Sequence, residues 1–288
     1  MANSKEIRRR IKSVKNIGQI TKAMELVSAA KMRKAQVQAL ASRPYAKLSS
    51  SLLENLASTV GETENQLFRK ILSGQNNSDK TLMILVSPNK GLAGALNTNL
   101  VNKAMELIKS EGREKIDFVV IGKKGEDLVR RLRLNIIADF ESKERDLRIF
   151  DAKPIADIAI EEFLAQHYSK VFIVYTDFVS TLNQRPNMLQ LLPLVKNAER
   201  DAEEYLFEPN ADDVLEDLIY RTIEFAVYQT LLEAQASEHS ARMVAMRNAN
   251  EASSDLIDDL QLSYNQARQS GITRELSEIS AAKLAMEG

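Results

Sequence analysis

The chain has 288 residues, 44% of them hydrophobic and 27% charged, with a formal net charge of −1. That is enough for one sizeable core and, by length, one or two domains; the absence of cysteine excludes a disulfide framework, a thiolate metal site and a cysteine nucleophile. The near-neutral total hides an asymmetry: residues 1–47 carry 12 Lys and Arg against Glu6 and Glu25, a net of +10, whereas residues 201–288 carry 18 Asp and Glu against 6 Lys and Arg, a net of −12.

The start, "MANSKEIRRR", is basic and has no apolar core after it, so it does not read as a secretory signal. Asn3 is a helix cap, with Glu6 three positions on in a capping-box arrangement. From there Ile7, Ile11, Val14, Ile17, Ile20, Met24 and Val27 recur at threes and fours, and the pattern runs to about residue 58. This predicts a long helix over 1–60, with a bend or junction at Pro44. The spacing is not a strict heptad, which predicts irregular supercoiling.

"SGQNNSDK" (73–80) is a turn-rich connection. Next come "TLMILVS" (81–87), "IDFVVIG" (116–122), "NIIADF" (135–140) and "KVFIVYTDF" (170–178). Such continuous apolar runs read as strands covered on both faces, as in a parallel sheet. Helical patterns near 94–110, 123–133 and 153–168 alternate with them, so residues 78–209 read as a Rossmann-like α/β domain. "MLQLLPL" (188–194) and "EEYLFEP" (203–209) read as further strands or edge segments.

Residues 210–288 hold no proline and one internal glycine, Gly271, and Leu215, Ile219, Ile223, Val227 and Leu231 open a second helical period. Unbroken, that helix would be about 115 Å long, several times the width of a small domain. Two such segments at opposite ends of one chain predict an antiparallel coiled coil with the α/β domain inserted between its strands. No apolar run approaches the roughly 20 residues of a membrane span.

The motifs carry little chemistry. "SPNKGLAGALN" (87–97) follows a strand and opens a helix, where doubly wound folds place a phosphate. It matches neither glycine fingerprint, and it reads as a tight turn in which Gly91 and Gly94 allow close packing. The acidic groups at Asp212, Asp213, Glu216 and Asp217 and at Asp255, Asp258 and Asp259 read as a helix start and a solvated face. His167 and His239 read as structural or surface residues. No catalytic residue, cofactor or metal is expected.

Aromatic residues are absent from the basic first helix until Tyr45, which argues against nucleic acid. Within it, "ITKAMELVSAAKMRKAQ" (20–36) interleaves apolar and basic side chains around the helix, so it calls for one apolar and one acidic partner at once. The last segment, "ISAAKLAMEG", is small and nearly uncharged, as suits a slim tip in a sleeve.

"ITKAMELVSAAKMRKAQ", "SRPYA" (42–46), "SPNKGLAGALN", "YLFEP" (205–209), "ASEHSARMVAMRNANEAS" (236–253) and "LSYNQARQSGITRELSEI" (262–279) together resemble the gamma subunits of rotary F-type ATP synthases, in order and over the whole chain. The resemblance implies a non-catalytic central rotor stalk that couples ion-driven rotation of the membrane c-ring to conformational cycling of the catalytic beta subunits. It implies partners in the alpha and beta subunits of the hexamer, the epsilon subunit and the c-ring. It also implies a peripheral place on the cytoplasmic face of a bacterial cell membrane, with the membrane met only through the ring. By motif, Lys22, Met24, Lys31 and Arg33 on the first helix and Arg242, Arg268, Gln269, Thr273, Glu275 and Glu278 on the last are the implied contacts with alpha and beta. Tyr205 and Glu208 are the implied foot contacts with epsilon and the ring.

Overall fold

The computed structural model describes residues 4–59, 78–143, 145–193 and 211–287. In chain order these form α1 (Ser4–Thr59), β1 (Thr81–Val86), α2 (Leu96–Glu111), a single 3-10 turn (Arg113–Lys115), β2 (Ile116–Ile121), α3 (Lys123–Arg131), β3 (Asn135–Phe140), α4 (Ile149–Leu164), β4 (Lys170–Phe178), β5 (Gln184–Leu192) and α5 (Ala211–Glu287). The chain divides into two compact units. One combines residues 1–28 with 243–288, and the other is residues 29–242.

The larger unit is built on a five-stranded sheet of order β3-β2-β1-β4-β5. β3, β2, β1 and β4 are parallel, and β5 joins β4 antiparallel at the edge. β1 and β2 are buried at every position because helices cover both faces. Leu82, Ile84 and Val86 pack with Ala156 and Ile160 of α4 and with Ile219, Ile223 and Val227 of α5. Met83 and Leu85 pack on the other face with Leu100, Ala104 and Leu107 of α2 and Val129 of α3. Edge strand β5 alternates between half-buried and exposed positions until Leu191, which is the period-2 signature of a strand with one open face.

The first halves of the expectations hold here: strands 81–87, 116–122, 135–140 and 170–178 all appear, and residues 188–192 lie in the edge strand. Residues 203–209 lie outside the described residues. α4 begins at Ile149, four residues before the apolar pattern that predicted it, because the Asp151 carboxylate accepts the Arg148 backbone N–H at 2.9 Å and closes the first turn.

Pro44 lies inside α1, and the helix continues on both sides of it. The Leu40 carbonyl loses its usual N–H partner there. Packing on either side compensates: Ala35 clusters with Ala236, Ser42 hydrogen-bonds Gln229, and the Tyr45 ring lies 4.2 Å from that of Phe225. Rising numbers on α1 meet falling numbers on α5, so the two helices run antiparallel within this unit.

The smaller unit consists of the first turns of α1 and the long distal part of α5. A continuous series of covered positions on α1 is Ile7, Ile11, Val14, Gly18, Thr21, Glu25 and Ser28, and on α5 Met246, Asn250, Ser253, Ile257, Leu260, Tyr264, Ala267 and Gly271, with Met24, Ala249 and Asn265 half-covered beside them. Both series alternate steps of three and four without a break, which is a heptad seam. This corrects the stripe predicted from apolar residues alone. Ile17, Ile20 and Val27 are exposed, and the inward places fall to Gly18, Thr21 and Ser28. A Cβ on Gly18 would lie 3.5 Å from the Ser253 Cβ, so the two backbones approach closely where the seam is thinnest.

Candidate functional site

In the smaller unit, the small seam residues turn the large apolar ones outward. Ile17, Ile20, Leu26 and Val27 are all at least half exposed on α1, beside exposed Lys22. Lys22 holds Glu25 at 2.9 Å, with the carboxylate largely covered and the ammonium in solvent. Met24 is half-buried. The exposed ion pair is worth about 0–1 kcal/mol and lets go easily. The seam takes the small side chains and leaves an apolar and basic face open.

On α5 the seam ends at Gly271. From Ile272 to Lys283 every residue is exposed, including Thr273, Glu275 and Glu278. Ile272, Leu276 and Ile279 expose 51–66% of their surface, and their spacing of four and three sets them in one stripe along the helix. Thr273 donates its hydroxyl hydrogen to the Gln269 carbonyl at 3.0 Å, and Ser277 does the same to Thr273 at 2.9 Å. These local bonds occupy the polar groups within the helix. Arg268 and Gln269 are exposed one turn earlier.

The larger unit holds three more of the predicted residues. Lys31 is half-buried and Arg33 exposed. Arg242 is directed inward: it is 8% exposed, pairs with Glu238 at 2.7 Å, and donates to the Gly91 carbonyl at 3.3 Å and the Lys90 carbonyl at 3.4 Å. It fixes the turn after β1. That turn then holds Leu92 at a φ of 61° and 63% exposed. Left-handed backbone is unfavourable for a leucine and persists only where the surroundings impose it.

The glycine expectations need revision in the same turn. Gly94 adopts φ 57° and needs its freedom, but a Cβ on Gly91 would meet nothing. Close packing occurs instead where β1 meets α3. A Cβ on Gly122 would lie 2.0 Å from the Ser87 carbonyl oxygen, and one on Gly125 2.8 Å from the Ser87 hydroxyl. The Ser87 hydroxyl accepts the Gly125 N–H at 2.7 Å there. Tyr205 and Glu208 lie outside the described residues.

Sequence reasoning did not find the polar junction between α1, α5 and the end of β4. Arg43 donates through Nε to Glu233 at 3.0 Å and through Nη2 to the Phe178 carbonyl at 2.6 Å, and its Nη2 lies 3.6 Å from Asp177. Gln229 donates to Glu233 at 2.8 Å and to the Ala39 carbonyl at 3.2 Å. Burial and a shared hydrogen bond with Glu233 push the Asp177 carboxyl up to about 7. Burial pushes Glu233 upward too, but the bonds from Asp177, Arg43 and Gln229 outweigh it and hold the carboxyl below its ordinary value. The two carboxyls are thus shifted in opposite directions, and Arg43 lies against both.

A second buried carboxylate, Asp117, accepts hydrogen bonds from Asn135 at 2.9 Å, Tyr168 at 2.9 Å and Lys80 at 3.3 Å. Burial raises its pKa and the three donors more than offset that. It ties three strands together at the amino end of the sheet. Among the described residues no three His, Asp or Glu side chains converge as metal ligands would.

The family described as ATP synthase matches residues 3–286. The chain is 43% identical to the ATP synthase gamma chain of Roseiflexus castenholzii over 294 residues, covering 99% of each chain. It is likewise 43% identical to that of Herpetosiphon aurantiacus over 298 residues, again covering 99% of each. Among solved structures it is similar in fold to a chain of the Euglena gracilis mitochondrial ATP synthase OSCP/F1/c-ring assembly. That likeness has a TM-score of 0.69 and 21% identity, covering 98% of this chain and 94% of that one. A chain of the Tetrahymena thermophila mitochondrial ATP synthase central stalk and c-ring matches at a TM-score of 0.61 and 22% identity, covering 80% of this chain and 99% of the other.

Proposed function

The chain belongs to the ATP synthase gamma chain family, and from that premise we propose that it is the central rotor stalk of an F-type ATP synthase. In this reading it performs no bond chemistry. It couples ion-driven rotation of the c-ring to cycling of the catalytic beta subunits, in synthesis or in reverse. Its partners are the alpha–beta hexamer around the terminal helices, and the epsilon subunit and c-ring at the α/β foot through Tyr205 and Glu208. It sits on the cytoplasmic face of a bacterial membrane, held there through the ring.

The observation that carries this reading is the distal part of α5, exposed on every side from Ile272 to Lys283, with Ile272, Leu276 and Ile279 in one open apolar stripe. A helix of that kind has an apolar stripe to seat on a partner and leaves the rest of its circumference free for a sleeve to close around it. A rotor acts by differential contact: each orientation biases its neighbours toward a different state. Lys22, Met24, Lys31 and Arg33, with Arg268, Gln269, Thr273, Glu275 and Glu278, are the proposed contacts. Arg242 contributes by setting the turn that presents Leu92. Individually weak exposed cations let the stalk leave each orientation as readily as it enters.

The test is assembly and motion. The chain has no cysteine, so a single Leu182→Cys variant offers a unique bead attachment point at an exposed position. With alpha and beta subunits it is expected to form a complex whose bead turns in one direction during ATP hydrolysis. Failure to assemble, or hydrolysis with a stationary bead, would overturn the reading.

A further inference from the structure

At the amino ends of β2 and β3 the larger unit carries a cluster of cations. α2 and α3 both run back from the carboxyl ends of the sheet, so α2 brings Lys109 there in its last turn and α3 brings Arg130 and Arg131. Arg113 of the 3-10 turn donates through Nη2 to the Leu132 carbonyl, which ties that turn to the end of α3. Arg133 follows one residue later. All of these cations are exposed.

The backbone accommodates one of them at a cost. The Leu134 N–H donates to the Val129 carbonyl at 3.1 Å and the Arg133 N–H to the Arg130 carbonyl at 3.0 Å. These two bonds make a Schellman ending, whose left-handed residue is ordinarily glycine. Here it is Arg133, at a φ of 54°. Glycine would relieve the backbone and lose the charge.

Neighbouring acids do not cancel the cluster. Arg130 pairs with Glu126 at 2.8 Å, Lys115 with Asp79 at 3.2 Å, and Glu111 is taken by Lys170 at 3.1 Å. Among the described residues no carboxylate forms an ion pair with Lys109, Arg113, Arg131 or Arg133. Exposed Glu114 offsets one of the four, so three positive charges remain. The cluster lies at the end of the unit away from Arg242, which holds the Gly91 carbonyl beside the carboxyl ends of the strands.

We propose that this end of the larger unit docks electrostatically on the anionic headgroups of a phospholipid membrane. An anionic lipid surface favours each nearby cation by about fivefold in partition. The attraction acts within about 10 Å at 0.1 M salt. Neither 96–115 nor 123–135 contains an aromatic residue on which a nucleic-acid base could stack, so the surface suits lipid better than RNA. The inference rests on the proposed function for the membrane beneath the foot, and it adds a direct contact to the one made through the ring.

The experiment sediments the full chain with phosphatidylcholine vesicles, with and without phosphatidylglycerol. Binding is expected to the anionic vesicles alone, and it should fall steeply as salt is raised. Arg131→Gln combined with Arg133→Gly should weaken it about 25-fold, or about fivefold for each cation. That variant should melt no lower than the wild type, because glycine suits the left-handed position. Arg8→Gln combined with Arg9→Gln makes the same change of charge at exposed positions on α1 and should leave binding nearly unchanged. Equal affinity for neutral vesicles, or equal losses in the two variants, would overturn the lipid surface. So would saturable RNA binding, lost in the first variant, with no binding to vesicles. A chain that binds anionic vesicles but forms no rotating complex sinks the rotor and spares this surface; one that rotates but ignores anionic vesicles does the reverse.

Discussion

Arg43 of α1 and Glu233 of α5 lie 3.0 Å apart, and both reach the end of β4, Arg43 through the Phe178 carbonyl and Glu233 through Asp177. One guanidinium therefore joins the two terminal helices to the sheet. Replacing it by alanine leaves a largely buried carboxylate beside a second acid, with no cation hydrogen-bonded to Glu233. We expect Arg43→Ala to cost roughly 2–4 kcal/mol, at the lower end because a third of the arginine side chain is open to solvent. Urea unfolding of the full chain, followed by circular dichroism, measures it.

The same junction sets a pH dependence. Asp177 titrates at about 7 in the folded chain against an ordinary 3.8, so its contribution to stability is complete below 3.8 and lost as pH rises through 7. Glu233 works in the opposite sense, and its contribution is lost as pH falls through its lowered value, below 4.5. The groups facing Asp177 are Glu233 from α5, Arg43 from α1, Tyr175 on its own strand and Arg185 from β5. Asp177→Asn keeps a hydrogen bond to Glu233 without a proton to lose. Its melting temperature should exceed the wild type's at pH 8, by roughly 1–2 kcal/mol of stability, and the fall between pH 4 and 8 should flatten. A variant with the wild-type slope would remove Asp177 as its cause.

At the seam, Gly18 is a helix-interior glycine whose added methyl would meet Ser253 at an ordinary contact distance of 3.5 Å. Gly18→Ala should therefore stabilise the chain by about 0.5–1 kcal/mol, through a less flexible unfolded state and better helix propensity. Thermal unfolding reads the gain; a loss would mean that the seam cannot yield even a few tenths of an ångström.

Gly122 behaves in the opposite way. It has φ 89° and a Cβ there would sit 2.0 Å from the Ser87 carbonyl oxygen. Gly122→Ala should cost more than about 3 kcal/mol and reduce soluble yield.

The turn after β1 offers a proteolytic readout. Arg242→Ala removes the donors that hold the Lys90 and Gly91 carbonyls. Trypsin should then cut after Lys90 several-fold faster, while cleavage after exposed Arg33 stays at the wild-type rate.

What was legible in the sequence followed from local pattern. β1, β2 and β4 declared themselves as apolar runs because helices cover both faces, and every residue of β1 and β2 is buried. The long helices did so by lacking breakers. The inward stripe of α1 was misread beyond Val14, because the apolar scan follows large side chains while the seam there selects Gly18, Thr21 and Ser28 for their small volume. A heptad count blind to hydrophobicity would have found it. The Arg43 junction has no local signature at all: its partners lie 135 and 190 positions away.

The exposed end of α5 has a thermodynamic consequence for the chain on its own. From Ile272 to Lys283 every residue of the helix is exposed, so its order there rests largely on propagation from the preceding turns, one hydrogen bond per residue. Amide exchange should accelerate steadily from Gly271 toward Glu287 in the isolated chain. Enclosure by a partner would suppress that gradient. Part of the affinity of the tip for its surroundings is then a helix–coil equilibrium, and the heat and heat-capacity change of assembly should carry the signature of ordering as well as contact.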